Sequence, residues 1–130
     1  MKIVMDGTTY RLRVKFKTLG RSFRVEDGDN AGDMLSGLYK RDVKGTYYDY
    51  SMEVEPDPRY PGDYDNFFDA ISAPVDNHSI TVPYGQSTLT YTAMVTSGAD
   101  VYQGKVAGVE RWAGLQVQFT AQKPQREPTT

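Results

Sequence analysis

The stretch Asp63–Ser72, DYDNFFDAIS, has the clearest helical pattern in the chain. Its apolar side chains recur three and four residues apart, which places them on one face of an α-helix. They are Tyr64, Phe67, Phe68 and Ile71. Asp63 can cap the first turn and Pro74 disfavours helical geometry in the residue before it, so a helix is predicted over about 63–72. A helix of about three turns is not stable alone in water, so we expect this face to pack on a sheet as part of the core.

The composition is that of a single domain of 130 residues. The 15 basic and 17 acidic residues give a net charge of −2, which predicts no general attraction to nucleic acid. The chain has no cysteine, which excludes disulfides, thiolate metal sites and cysteine nucleophiles. Its N-terminal apolar run is too short for a signal peptide, and no stretch is long enough to span a membrane. We therefore expect a protein that is made and folds in the cytoplasm.

Two strands with opposite charge on their polar faces are predicted before the helix. Asp6-Gly7 is typical of a two-residue hairpin turn, and the alternating segment Tyr10–Lys17 follows it. The apolar face of that segment is predicted to hold Tyr10, Leu12, Val14 and Phe16. Its basic face is solvated, guards a sheet edge, or contacts nucleic acid. Thr46–Glu55 alternates as well and has an acidic face, so antiparallel pairing of the two segments would place opposite charges across from each other.

The segments after the helix complete a mainly β fold. Strands are predicted at Ser79–Val82, at Thr88–Thr96 and in the closing run to Ala121, whereas Val101–Arg111 is ambiguous because glycines interrupt it. This order of elements predicts a single-domain β-sandwich or partly closed barrel with one α-helix packed against it, over residues 1–123. Residues 124–130 lack apolar side chains and are predicted to form a mobile tail.

The segment Glu26–Gly45 breaks the strand pattern, with four glycines and no sustained period. An insert of this length in a small domain is usually functional or disordered. Its aspartates suggest a calcium loop, but Ala31 and Leu38 stand where an EF-hand needs oxygen ligands. We interpret the segment as a glycine-rich arm and expect no metal site in it.

Few residues are able to support catalysis. His78 is the single histidine, and no GxSxG motif accompanies it. The many carboxylates can be paired arbitrarily, so they identify no glycosidase. Trp112 and the ten tyrosines are suited either to a sugar-stacking platform or to the core and an interface. We expect the protein not to be an enzyme, with no catalytic residue, no cofactor and no bound metal.

Six segments of the chain carry a resemblance to a known family. They are IVMDGTTYRLRV, EDGDNAGDM, KRDVKGTYYDYSMEV, the helix with ISAPV, HSITVPYG and RWAGLQVQFTAQKP. The chain resembles small structural proteins from the tail modules of long-tailed phages and prophages of Gram-positive bacteria. In that family a single-helix β-sandwich is the module of tail-tube proteins and of the N-terminal domain of distal tail proteins, which form hexameric rings. In such rings neighbouring subunits extend one sheet, and a long loop reaches the adjacent subunit or ring.

The resemblance implies a virion structural protein of the tail, made in the cytoplasm of the host bacterium, that self-assembles into rings. Its partners would be other copies of itself, in a hexameric ring for example, and other tail proteins. It would contact no membrane and no specific nucleic acid, although DNA would pass passively through a lumen. The chain is shorter than a tube subunit and lacks the second domain of a distal tail protein. Its place in the tube, distal tail, baseplate or connector therefore stays open.

The arm Glu26–Gly45 occupies the position of the family's long loop, which implies an assembly interface in and beside it. The residues of this interface are Asp27, Asp29, Asn30, Asp33, Met34, Leu35, Leu38, Tyr39, Arg41 and Tyr47. The long strands Thr46–Glu55 and Thr88–Thr96 are expected to supply sheet edges for ring formation. The alternative function is a stand-alone β-sandwich module that binds a glycan or a protein through tyrosine and tryptophan.

Overall fold

The computed structural model describes residues 2–28, 32–33 and 37–128 of the chain. These residues form ten strands and one helix. In chain order they are β1 (Lys2–Met5), β2 (Thr8–Val14), β3 (Gly20–Asp27), β4 (Gly32–Asp33), β5 (Tyr39–Lys40), β6 (Val43–Pro56), α1 (Pro61–Ile71), β7 (His78–Tyr84), β8 (Ser87–Met94), β9 (Gly98–Val106) and β10 (Val109–Ala121). The predicted fold class, a mainly β barrel or sandwich with one helix, is confirmed.

Six strands close a barrel in the order β6, β2, β1, β7, β8 and β10. The barrel closes where β10 pairs antiparallel with β6, with Leu115 opposite Val54 and Phe119 opposite Tyr50. Alternate residues of these two strands point inwards, as the period of a strand requires. The buried apolar residues that they contribute are Tyr50, Met52, Val54, Leu115, Val117, Phe119 and Ala121. The core is thus built mainly from residues far apart in sequence.

Two further strands extend the barrel wall on either side of the β6–β10 pair. β3 pairs with the first two thirds of β6, and β9 pairs with β10. The strands β3, β6, β10 and β9 therefore form one antiparallel sheet that is wider than the barrel. The expectation that Thr46–Glu55 supplies a sheet edge is wrong, because β6 has partners on both sides. β8 pairs with β7 along its length but with β10 only through Ala93 and Met94, so the part of Thr88–Thr96 before Thr92 keeps an open edge.

The predicted hairpin at Asp6-Gly7 is confirmed by the pairing of β1 with β2, in which Met5 lies opposite Thr8. Asp6 has φ 52° and Gly7 has φ 80°, the left-handed backbone that a two-residue turn of this kind requires. The predicted pairing of opposite charges is also confirmed. Arg13 lies opposite Glu55, and the Lys15 ammonium is 3.2 Å from the Glu53 carboxylate.

Phe16 does not continue the apolar face of β2 as predicted. The strand ends at Val14, and the side chain of Phe16 is 85% exposed in the turn that follows. The Thr18 hydroxyl donates a hydrogen bond to the carbonyl oxygen of Lys15 (2.7 Å) and accepts one from the Glu53 amide (3.1 Å). These bonds fold the chain back before Phe16 can reach the core.

The helix α1 begins two residues earlier than predicted, with Pro61 in its first turn, and its cap residue Tyr60 makes no side-chain capping bond. Proline suits this position because the first amides of a helix have no intrahelical acceptor. Asp63 has another role. Its Oδ2 accepts hydrogen bonds from the amide (2.8 Å) and Nε (3.1 Å) of Arg11, which fasten α1 to β2.

The predicted core face of α1 is confirmed, with Tyr64, Phe67 and Ile71 buried and Phe68 half-buried against the same cluster. The rings of Phe67 and Tyr10 pack in a T-shaped arrangement, with 5.3 Å between their centroids. The Tyr64 hydroxyl donates a 2.8 Å hydrogen bond to Asp100 at the start of β9. The helix therefore joins the barrel to the β9 side of the wide sheet.

The C-terminal segment differs from the predicted mobile tail as far as residue 128. Thr46 exchanges backbone hydrogen bonds with Gln125 and Arg126, and the Gln125 side chain accepts a 2.7 Å bond from the Tyr48 amide. These contacts cover the edge of β6 that β10 leaves open. Composition could not predict them, because they are backbone bonds that need no apolar side chain.

Candidate functional site

The two edges of the wide sheet, β3 and β9, are the principal open surfaces of the fold. Among the described residues, each is hydrogen-bonded to a strand on one side only, along eight residues in β3 and nine in β9. Neither contains proline, and both carry exposed apolar side chains. Phe23 is 70% exposed on β3, and Val101 is 61% exposed on β9. Soluble proteins usually guard such edges, because the unpaired backbone groups accept a further strand.

Strand direction makes the two edges compatible with each other. Each neighbouring pair in the order β3, β6, β10, β9 is antiparallel, so β3 and β9 run in opposite directions. A second copy placed beside the first in the same orientation would therefore present its β9 antiparallel to β3. Antiparallel pairing is the more stable of the two arrangements per residue.

The hairpin of β9 and β10 projects the largest group of exposed apolar side chains. Ala107 (φ 51°) and Gly108 (φ 80°) form its two-residue turn, which resolves the ambiguous segment Val101–Arg111 into two strands. Tyr102 lies opposite Trp112, with 5.1 Å between ring centroids. Both rings are more than two-fifths exposed, so they do not fill the core.

Trp112 also forms one wall of a surface cleft against α1. The cleft has a volume of about 380 Å³. It is lined by aromatic rings and carboxylates, namely Tyr64, Asp65, Phe68, Asp69, Asp100 and Trp112. Burial, together with the Asp100 carboxylate, raises the pKa of the Tyr64 hydroxyl, which keeps that hydroxyl a hydrogen-bond donor. Within the described part of the chain, no lysine or arginine forms an ion pair with Asp65, Asp69 or Asp100.

The turn after β2 forms a third open feature, with Phe16 between Lys15 and Lys17. Lys17 has φ 68°, a left-handed backbone that is uncommon for a residue other than glycine. Its ammonium lies 5.5 Å from the centre of the Phe16 ring. The sequence pattern missed this feature because the alternation of Tyr10–Lys17 continues through the turn.

The arm predicted as the assembly interface is partly a strand extension. Its base joins β3 to β6, where Asp27 lies opposite Val43, and Arg41 contacts the Asp27 carboxylate (3.0 Å). Further out, β4 and β5 pair as a short ribbon. A Cβ at Gly28 would lie 2.7 Å from the carboxylate of Asp42, so a larger residue there would require the Asp42 side chain to move.

The predicted interface residues do not form one surface in the described part of the chain. Leu38 is 67% exposed, whereas Tyr47 is half-buried. The guanidinium carbon of Arg24 lies over the Tyr47 ring, 4.7 Å from the ring centre. Four residues lie outside the described residues, namely Asp29, Asn30, Met34 and Leu35. The side chains of Asp33 and Tyr39 also lie outside that description. Their part in assembly stays a prediction.

His78 has a structural environment. Its side chain is buried, and its Nδ1 lies 2.6 Å from Oδ2 of Asp6 in the first hairpin turn. Asp6 Oδ1 accepts a further bond from the Ser79 amide (2.8 Å). Burial raises the pKa of Asp6, but the bonds from His78 and Ser79 outweigh it and hold that pKa below its ordinary value. The pair fastens the β1–β2 turn to β7.

Comparison with known proteins identifies no relative, since neither a protein-family model nor a curated protein matches the chain. Among residues 2–28, 32–33 and 37–128, no cluster of histidine and acidic side chains is arranged to hold a metal ion. The same residues contain no helix with the length and apolar character needed to cross a bilayer.

Proposed function

We propose that the protein is a structural subunit of a phage or prophage tail that assembles with copies of itself through the edges of its wide sheet. The observation that carries the proposal is the sheet β3-β6-β10-β9, which is open at both edges and exposes apolar side chains along both. The proposal includes ring formation in the tail tube, distal tail or baseplate region, and contacts with other tail proteins. The assignment to a tail is supported by the six segments that resemble tail-module proteins.

The physical basis of the assembly is the addition of a strand to a sheet. Pairing β9 of one copy with β3 of the next would satisfy the outward backbone groups of the two strands and cover Phe23 and Val101. The Val25 carbonyl oxygen of β3 already accepts a hydrogen bond from the Arg41 guanidinium (3.0 Å), which would have to move aside. Because the two edges are different surfaces, the contact is head-to-tail, and such contacts close into rings when the rotation between copies permits. A stable contact should bury more than about 1,000 Å² in total, so surfaces beside the edges must contribute.

Charged residues placed on the edges test the proposal. Phe23→Lys on β3 and Val101→Lys on β9 should each abolish assembly, because a lysine on an edge opposes further pairing. Val75→Lys is the matched control, since Val75 is 54% exposed and lies outside both edges. Sedimentation velocity and negative-stain microscopy at micromolar concentration measure the oligomers, alone and with co-expressed tail proteins. A wild-type chain that stays monomeric and joins no tail protein would overturn the proposal.

A second candidate function is supported by the exposed ring pair of Tyr102 and Trp112. Exposed aromatic rings beside carboxylates suit a sugar, whose apolar face stacks on a ring while its hydroxyls donate to acids. Trp112 is the single tryptophan, so its fluorescence would report such binding directly. A strictly monomeric protein whose tryptophan emission saturates with an oligosaccharide would favour this function.

A further inference from the structure

The turn Lys15–Leu19, called here the Phe16 turn, presents an aromatic ring to solvent on a fixed backbone. Phe16 is 85% exposed. The turn is nevertheless held to β6 by two hydrogen bonds: the Lys15 amide donates to the Glu53 carbonyl oxygen (2.8 Å), and the Glu53 amide donates to the Thr18 hydroxyl (3.1 Å). The left-handed backbone of Lys17 adds a conformation that persists only where surrounding structure maintains it. The exposure of Phe16 is therefore a feature of the fold.

The cleft between α1 and Trp112, called here the Trp112 cleft, has the complementary chemistry. Its walls combine the rings of Phe68 and Trp112 with the carboxylates of Asp65, Asp69 and Asp100. A volume of about 380 Å³ is large enough for one aromatic side chain. Asp65 and Asp69 are exposed on the outer face of α1, so they can meet a cation that approaches from outside.

We infer that the Phe16 turn of one copy docks in the Trp112 cleft of a second copy of this chain. The occupant is assigned by charge and shape together. The turn offers one ring and the ammonium group of Lys17, since Lys15 is already paired with Glu53 in its own chain, and the cleft offers two rings among three carboxylates. The aromatic ring would enter between Phe68 and Trp112, and Lys17 would pair with the aspartates. This inference rests on the proposed function and adds to it the surfaces that lie beside the strand edges.

Trp112 fluorescence tests occupancy of the cleft. With increasing concentration, the emission of wild-type protein should shift to shorter wavelength as Phe16 of another copy covers the indole. Phe16→Ala should raise the concentration at half-shift by about tenfold, the usual loss for an anchoring aromatic residue. Val75→Ala, which also shortens an exposed apolar side chain, should leave that concentration unchanged.

A charge exchange tests which surfaces meet. Lys17→Glu and Asp69→Lys should each weaken self-association by about tenfold, and the double variant should recover most of it because the opposite charges are restored. Lys123→Glu is the control for Lys17→Glu, since it makes the same change of charge at another exposed lysine. A double variant as weak as its parents would overturn the inference. Thermal melts of each variant exclude loss of fold as the cause.

The two proposals fail in different ways. If wild-type protein assembles and Phe16→Ala assembles equally well, the docking inference is overturned while edge assembly stands. If Phe23→Lys and Val101→Lys assemble like wild type but Phe16→Ala does not, the docking inference stands and edge pairing is overturned. If the wild-type chain is monomeric and an oligosaccharide shifts Trp112 emission, both are overturned in favour of the glycan-binding function.

Discussion

Phe67 shows how one residue couples the helix to the barrel. Its side chain is fully buried and packs against the Tyr10 ring in a T-shaped arrangement. Phe67→Ala should cost about 3–5 kcal/mol of unfolding free energy, since it removes a buried ring and leaves a cavity. Phe68→Ala, on the same helix but half-buried, should cost about 1–2 kcal/mol because less apolar area is lost. Urea unfolding measures both, and equal costs would contradict the assigned helix orientation.

Asp57 makes the stability of the fold depend on pH in the acid range. Its pKa is lowered from 3.8 to about 2, first by the side-chain hydrogen bonds of Arg59 and then by the Arg59 amide. Arg59 Nη2 lies 3.0 Å from Asp57 Oδ2. A carboxyl with a lower pKa in the folded state binds fewer protons there than in the unfolded chain. Its stabilising effect is therefore complete above about pH 4 and disappears as the pH falls towards 2.

The expected result is that Asp57→Asn is less stable than wild type at pH 6, and that the difference vanishes between about pH 4 and pH 2. Urea unfolding across this range measures it, and NMR titration of the Asp57 carboxyl gives the pKa directly. Arg59→Ala should return that pKa towards 3.8. A wild-type Asp57 that titrates near 3.8 would show that the Arg59 contacts do not persist in solution.

At the scale of elements, periodicity predicted what local sequence determines. The core face of α1, the first hairpin and the charge pairing of β2 with β6 all follow from spacing or turn chemistry. The errors lie where a hydrogen bond from elsewhere ends or holds an element. The hydrogen bond from Thr18 to Lys15 ends β2 before Phe16, and Arg11 binds the Asp63 carboxylate that was predicted to cap the helix. The backbone of Thr46 binds the C-terminal segment. None of these bonds has a periodic signature.

Gly45 marks the place where the C-terminal segment crosses β6. Its φ is +146°, and a Cβ there would lie 2.5 Å from the Arg126 carbonyl oxygen and 2.6 Å from Pro124. Gly45→Ala should therefore destabilise the full chain by about 1–3 kcal/mol. In a chain truncated after Lys123 the clash is absent and only the backbone strain remains, so the same substitution should cost less. Denaturant unfolding of the full and truncated chains, each with and without Gly45→Ala, measures this difference. Equal costs would show that the C-terminal segment does not lie against Gly45 in solution.

At the scale of the whole molecule, the strands that stay open along their full length could not be predicted from sequence. Thr46–Glu55 alternates regularly yet pairs on both sides, whereas β8 meets β10 only at Ala93 and Met94. The strands that are open along their full length are β3 and β9. β3 continues from β2 along one side of β6, and β9 continues from β8 along one side of β10. Which strand becomes an edge depends on closure between β6 and β10, a contact between distant segments. The same holds for the Trp112 cleft, whose walls come from α1, β9 and β10.

The order of strands also determines the symmetry of any assembly. β3 and β9 are different strands at opposite edges of one sheet, so pairing them joins unlike surfaces, and every copy keeps the same orientation about the ring axis. The N-termini of all copies should then lie on one face of the ring. A gold-labelled N-terminal tag, viewed from the side by negative-stain microscopy, should appear on that face alone. A label fused after Thr130 should likewise appear on a single face. Label on both faces of one ring would indicate two-fold contacts between like surfaces, which the pairing of β3 with β9 cannot produce.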